Sequence, residues 1–309
     1  MKIWAGKEKP PAQSSLIAGL SHMLFLDLII QGIVQGAIYA LIALGLTLVY
    51  GLLRILHVAH AALFTLGGYI GVVVTNQTGS FLLAVIIAMV AIGFVGMAMY
   101  RFAYKPLLDK PPLVALIASI GMFIVGEELF RLVFGAYGLS FTDPPLQTQI
   151  EIFPEIFLSH ARLLVFCIAV FSIGFLGWLS ASTRTGVAWR ATVTDPDIAR
   201  VMGVNLENVR YLNFFIGSSL AAVAGVMVAL LGNLVEPTMG AVPAYKALAI
   251  IVLGGLGSVR GTLVAALALG VIESFGTIYF GHILDRDAIA FAFLITVLMI
   301  RPSGILAKD

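Results

Sequence analysis

The chain has 309 residues, of which 60% are apolar and only 11% charged, with a formal net charge of +2. A soluble domain carries about 25% charged residues, so this composition excludes one, and so small a net charge gives a nucleic acid nothing to hold. The one cysteine, Cys167, excludes an intrachain disulfide and reads as a small hydrophobe within an apolar run.

The first 21 residues are polar and mixed, with Lys-Glu-Lys-Pro-Pro at 7–11, and read as a soluble tail rather than a cleaved signal peptide. Residues 22–309 then read as one membrane domain. Apolar stretches follow at 24–53, 56–75, 81–103, 112–134, 160–181, 208–232, 242–258, 262–281 and 286–301. About 20 apolar residues cross roughly 30 Å of hydrocarbon as a helix, so the expected fold is all-α, a polytopic helical bundle of about 8–9 membrane spans. The first stretch is long, with room for a bend or interruption over 40–60. The pair 242–281 is short for two full crossings, and a broken or re-entrant pair fits it equally.

The links sort by charge. Arg101, Lys105 and Lys110 fall in one, Arg184, Arg190, Arg200 and Arg210 in a second, and Arg301 and Lys308 at the end of the chain. The positive-inside rule puts these three on the cytoplasmic side. The uncharged link 75–80 and the segment 136–159, with Asp143, Glu151 and Glu155 but no Lys or Arg, then face outside. The longer one has room for a small interfacial helix. Arg260 must then lie near the inner side. The count puts the N-terminus outside, against the pull of Lys2, Lys7 and Lys9. Small residues recur four apart (Gly32 with Gly36, Gly67 with Gly71, Ala221 with Gly225, Gly257 with Gly261) and predict close helix crossings.

The link 184–210 is the most informative. Thr194 or Asp195 can cap a helix that has Pro196 at its first position, and Gly203 ends it. Ile198, Val201 and Met202 share one face, while Asp195, Asp197 and Arg200 point to water. Such a helix either lies in the headgroups or docks into a partner. It lacks the lysines and bulky aromatics of a lipid-lying helix, which favours docking.

The run Arg190-Ala191, then Asp195-Pro-Asp-Ile-Ala-Arg-Val-Met-Gly-Val-Asn205, resembles the cytoplasmic coupling loop of ABC importer permeases. It is closest in pattern to the Liv-type permeases of branched-chain amino acid importers, H-type subunit. Gly36–Gly51 is similar to that family's opening helix and Ala115–Gly121 to its fourth span. Leu253–Gly261, preceded by Lys246, is similar to its glycine-rich segment, and Arg301–Leu306 to its C-terminal signature. One departure stands out: where the family shows Asn-Phe-Ala-His-Gly, this chain has His57-Val58-Ala59-His60-Ala61.

The resemblance implies a permease subunit in a bacterial or archaeal inner membrane, forming half of a translocation path. The solute would be leucine, isoleucine, valine or a related small polar molecule. Its partners would be a second homologous permease subunit, two cytoplasmic ATPases and a periplasmic or lipid-anchored binding protein. ATP would be used by the ATPases, with no cofactor, metal or catalytic residue in this chain. The coupling loop 184–207 would act through Arg190, Asp195, Pro196, Ala199 and Gly203.

Candidate path or gating residues are Gln35, Tyr39, His57, His60, Lys246, Gly255, Gly257 and Glu273. Ionisable groups inside spans are costly and so are functional candidates. Glu273 reads as either a tether between helices or a path residue. Lys246 reads as snorkelling to the headgroups or facing a partner. Glu128 and Arg131 can pair at i, i+3. His57 and His60, taken to share a helix face, read as path-lining, as structural hydrogen-bonding groups, or as a metal pair short of ligands. Gln31 and Gln35 are expected to face protein rather than lipid. The glycine cluster 254–261 lacks the Lys-Ser/Thr of a phosphate loop and reads as a helix break or tight crossing. Two other classes remain open. A stand-alone secondary transporter or channel would need repeats or a midplane charge constellation, for which Glu273 alone speaks. An intramembrane enzyme would need more than Ser274 with His282.

Overall fold

Helices occupy all nine apolar stretches in the computed structural model, which describes residues 11–153 and 156–301, with side chains at 24–150 and 158–301. The lysines of the first ten residues, Glu155, and the C-terminal signature beyond Arg301 with Lys308 lie outside the described residues.

The elements run α1 (Pro11–Leu53), α2 (His60–Thr78), α3 (Phe81–Met99), α4 (Pro112–Phe134), β1 (Gln149–Phe153), β2 (Ile156–Ser159) and α5 (His160–Ser182). Then come α6 (Arg184–Thr194), α7 (Pro196–Val201), α8 (Leu206–Gly232), α9 (Ala241–Gly254), α10 (Val259–Phe280) and α11 (Arg286–Ile300). A π-turn at Tyr100–Tyr104 and a 3₁₀ turn at Lys105–Leu107 continue α3 toward the basic link.

Helix α1 is the axis of the bundle. It packs mainly on α10 and α8, and α8 packs in turn on α2 and α3. Glycines make these crossings close: a Cβ on Gly32 would lie 2.6 Å from the Val271 Cα, and one on Gly67 2.5 Å from the Ala222 Cα. In lipid, where burial of apolar surface gives no drive, such backbone contact is what holds helices together. Helices α4 and α5 sit at the periphery, and α5 shows Phe171, Phe175 and Trp178 outward.

The sidedness expected from charge is self-consistent. Lys105 pairs with Glu207, joining two basic links at one end. At the other end Asn76 bonds Ser140 and Thr142, and Leu139 bridges to Val235.

Six helices are long and apolar enough to cross a membrane, among the described residues, and shorter apolar helices such as Ala241–Gly254 stand beside them, as expected of a polytopic bundle with some short spans. Helices α9 and α11, of 14 and 15 residues, reach about 21–23 Å at 1.5 Å per residue, short of the roughly 30 Å hydrocarbon core. The segment 136–159 holds an antiparallel β-hairpin, β1 with β2, not an interfacial helix. The stretch read as a tail is helical from Pro11 onward. The interruption of the first apolar region falls at 54–59, where Arg54 turns into the left-handed region at φ 53° and ends α1. His57 therefore sits in the break and not on the helix that begins at His60. Gly257 and Gly261 are not a packing pair within one helix, because Gly257 lies in the α9–α10 turn; Gly261 meets Gly254 instead.

Candidate functional site

Between α6 and α8 the chain leaves the bundle. Thr183 caps α6 by accepting from the Gly186 N–H at 3.0 Å. Asp195 then caps α7, its Oδ1 accepting from the N–H groups of Asp197 at 2.9 Å and Ile198 at 3.0 Å. Pro196 follows at the first helical position, where a missing N–H costs nothing. Gly203, at φ 86°, closes the helix in a conformation that a side chain would strain. Ala199 turns inward at 3% exposure, whereas Ile198, Val201 and Met202 stand 59%, 86% and 79% exposed. Arg190 is exposed on α6. The capped helix expected from the link 184–210 is thus present, preceded by a second helix, α6, that sequence reading missed. The apolar face of α7 is uncovered among the described residues.

A second constellation lies inside the outer half of the bundle. Tyr39 of α1 donates its hydroxyl to Glu273 Oε2 at 2.7 Å. Lys246 of α9 pairs with Glu273 Oε1 and with Asp287 Oδ1, both at 2.8 Å, and donates to the Tyr39 hydroxyl at 3.0 Å. Arg286 Nε donates to Glu273 Oε2 at 2.9 Å. Glu273 is fully buried and Lys246 is 4% exposed. This corrects the snorkelling expectation: Lys246 turns into the protein because two carboxylates meet it there. Glu273 ties α1, α9 and α11 to α10. Its partners Arg286 and Asp287 were missed because they stand at a span boundary, where charges read as ordinary span ends.

A third group surrounds the break at 54–59. Tyr104 donates to Ser119 Oγ at 2.9 Å and shares a 2.5 Å hydrogen bond with His57 Nδ1, so the imidazole N–H is the donor there. Ser119 Oγ also accepts from the Ala59 N–H at 2.9 Å, and His60 Nε2 meets the Ile42 carbonyl at 3.2 Å. Both histidines are buried. One nitrogen of each ring is bonded, while, among the described residues, His57 Nε2 and His60 Nδ1 have no hydrogen-bond partner, and no cluster of three or more metal-ligating side chains occurs. Ala61, standing where the family pattern has glycine, is an ordinary helical residue of α2. Tyr104 and Ser119 carried no signal in sequence, being neutral hydroxyls within apolar runs.

Gly255 and Gly257, at φ 94° and 85°, make the break between α9 and α10, against Gly51 at the end of α1. Twelve residues of α1 separate Gly51 from Tyr39, about 18 Å at 1.5 Å per residue. The expected path residues therefore fall into an outer charged group, an inner histidine group and an inner glycine turn. Gln35 stands apart from these, on the wall of an outer cavity of about 720 Å³ that Gln31 also lines. The expected Glu128–Arg131 pair forms at 2.6 Å.

Residues 28–301 match the family model described as branched-chain amino acid transport system / permease component. The chain is 32% identical over 298 residues to the high-affinity branched-chain amino acid transport system permease protein BraD of Pseudomonas aeruginosa, covering 92% of this chain and 96% of that one. It is 31% identical, with the same coverage, to the permease protein LivH of Escherichia coli K12. It is 26% identical to the probable LivH of Methanocaldococcus jannaschii, over 91% of this chain and 93% of the relative. A helical bundle of membrane-length spans, matched along nearly its whole length, places this integral membrane protein in the family of branched-chain amino acid transport system permease components.

Proposed function

We propose that this chain is the transmembrane subunit of an ATP-driven importer in a bacterial or archaeal inner membrane, carrying leucine, isoleucine and valine. It pairs with a second, homologous permease subunit. Two cytoplasmic ATPases bind and hydrolyse ATP, and a periplasmic or lipid-anchored binding protein delivers the solute. This chain takes no part in the hydrolysis and holds no cofactor. The loop 184–207 transmits the ATPase cycle through Arg190, Asp195, Pro196, Ala199 and Gly203. Gln35, Tyr39, His57, His60, Lys246, Gly255, Gly257 and Glu273 line or brace the path within residues 22–309.

The observation that carries this reading is α7. A doubly capped helix, outside the bundle and on the basic side, presents Ile198, Val201 and Met202 uncovered. Exposed apolar side chains on so short and so well anchored a helix suit a socket on a partner. Solubilised gently and recovered by a tag, the chain brings down a second permease subunit and two ATPases. Deleting 195–203, or replacing Gly203→Glu, abolishes uptake and ATPase recovery while membrane insertion persists. Uptake that survives both changes, or uptake by this chain alone under ATP depletion, replaces this reading with a stand-alone transporter.

A further inference from the structure

The outer cavity has a composition that neither lipid nor simple helix packing explains. It lies between α1, the hairpin and the link before it, α5, α8, α10 and the start of α11, and half of its lining residues are polar or charged. A groove facing hydrocarbon could not hold them without large cost. Its polar side is a stripe on one face of α1: Asp27, Gln31 and Gln35 recur at four-residue spacing, with Gln31 Nε2 donating to Asp27 Oδ2 at 2.6 Å. Arg162 and Arg286 line the same cavity. Arg286 is held in place through its Nε by the fully buried Glu273, and its side chain keeps 43% of its surface exposed. The rest of the lining mixes aliphatic side chains, Val34, Ile38 and Leu231 among them, with Gln147, Gln149, Ser159, Ser274 and Thr277.

We propose that this cavity is a solute-holding site within the single subunit, built for a zwitterionic aliphatic α-amino acid. This deepens the importer reading above and rests on it. The guanidinium groups take the carboxylate in the forked geometry that suits them. Asp27 takes the ammonium group, with the α1 glutamines completing its hydrogen bonds. The aliphatic wall receives the side chain. A volume of about 720 Å³ is in the usual range for a small-molecule site and admits such a solute together with much of its hydration water. The presence of both signs of charge in one chamber disfavours a sugar, which needs neither, and a dicarboxylate, which Asp27 would repel. A solute bound here is held by this chain before it reaches the seam with a second subunit.

The test uses the assembled complex in nanodiscs without its binding protein, with radiolabelled leucine as the probe. Leucine binds, and excess unlabelled leucine displaces it. 4-Methylpentanoate, which lacks the ammonium group, and isoamylamine, which lacks the carboxylate, do not compete. Asp27→Asn weakens leucine binding at least tenfold and slows uptake to match, while assembly and ATP hydrolysis stimulated by the binding protein persist. A second measurement works in a folded protein whatever Asp27→Asn does to stability. In a Cys167→Ala background, Ser274→Cys reacts with a membrane-impermeant thiol reagent added from outside, and leucine protects it where 4-methylpentanoate does not. Equal protection by both compounds, or by neither, overturns the proposal, as does unchanged binding in a folded Asp27→Asn complex. A wild-type chain that recovers no ATPases fails the importer reading instead, so the two failures are distinguishable.

Discussion

The two buried polar clusters of this chain solve opposite problems. The outer one is made of charges. Lys246 and Arg286 face Glu273 and Asp287, two of each sign, with Tyr39 bridging. The inner one is neutral. His57, Tyr104 and Ser119 form a chain of hydrogen bonds, and its last member satisfies the Ala59 N–H inside the break between α1 and α2. The outer cluster neutralises charges that would otherwise be stranded at membrane depth. The inner cluster supplies partners to backbone that has left a helix where water is scarce. The difference predicts different costs of damage: a stranded charge is worse than a stranded amide.

The largest effect should follow Glu273→Leu. It leaves Lys246 and Arg286 sharing the half-exposed Asp287, and loss of one partner from a buried pair costs about 3–5 kcal/mol. Thermal unfolding in detergent should show a large drop, with little folded protein at physiological temperature. The double change Lys246→Met with Glu273→Leu should recover most of that loss, because it removes both charges together. Failure of the double variant to recover would mean that Glu273 acts mainly through Tyr39 and Arg286.

Next in size is Ser119→Ala. It strands two buried donors, the Ala59 N–H and the Tyr104 hydroxyl, for a cost of about 2 kcal/mol. Tyr104→Phe should cost less, about 1 kcal/mol, since Ser119 keeps its bond to Ala59 and the only donor stranded is the His57 imidazole N–H. Amide hydrogen exchange separates the two variants: Ala59 exchanges faster in Ser119→Ala and keeps its protection in Tyr104→Phe. Equal exchange in both would dissolve the distinction between a backbone-serving cluster and ordinary packing.

The bundle was legible in sequence because lipid demands unbroken apolar stretches, and helices start within a few residues of nearly all the expected boundaries. Helix α7 was legible because Asp195, Pro196 and Gly203 are local signals, each acting within a few residues. The hairpin was missed although Gln149, Ile150, Glu151 and Ile152 alternate polar and apolar, the period of a strand. The pairing of Glu273 with Tyr39 was out of reach for another reason. Tyr39 lies 234 residues away along the chain, and only the Gly32 and Gly36 crossing of α1 over α10 brings the two together. Tyr104 and Ser119 add nothing to hydropathy that marks them from neighbours facing lipid. The cavity drew on charges at three span ends, Asp27, Arg162 and Arg286, which sequence alone assigns to the water interface.

The smallest effect belongs to the ion pair at the inner rim, and it bounds the comparison. Lys105 and Glu207 pair across two basic links, but their side chains stay 34% and 44% exposed. Water solvates each of them when the other is lost, and salt screens their attraction over about 8 Å at physiological ionic strength. Lys105→Met and Glu207→Gln should therefore unfold at the wild-type temperature, and the wild-type midpoint should not move when salt is raised. The geometry alone would rank this pair beside Lys246–Glu273; burial separates them. A destabilisation by Lys105→Met as large as that by Ser119→Ala would place the rim pair within the inner cluster, and the neutral character of that cluster would have to be given up.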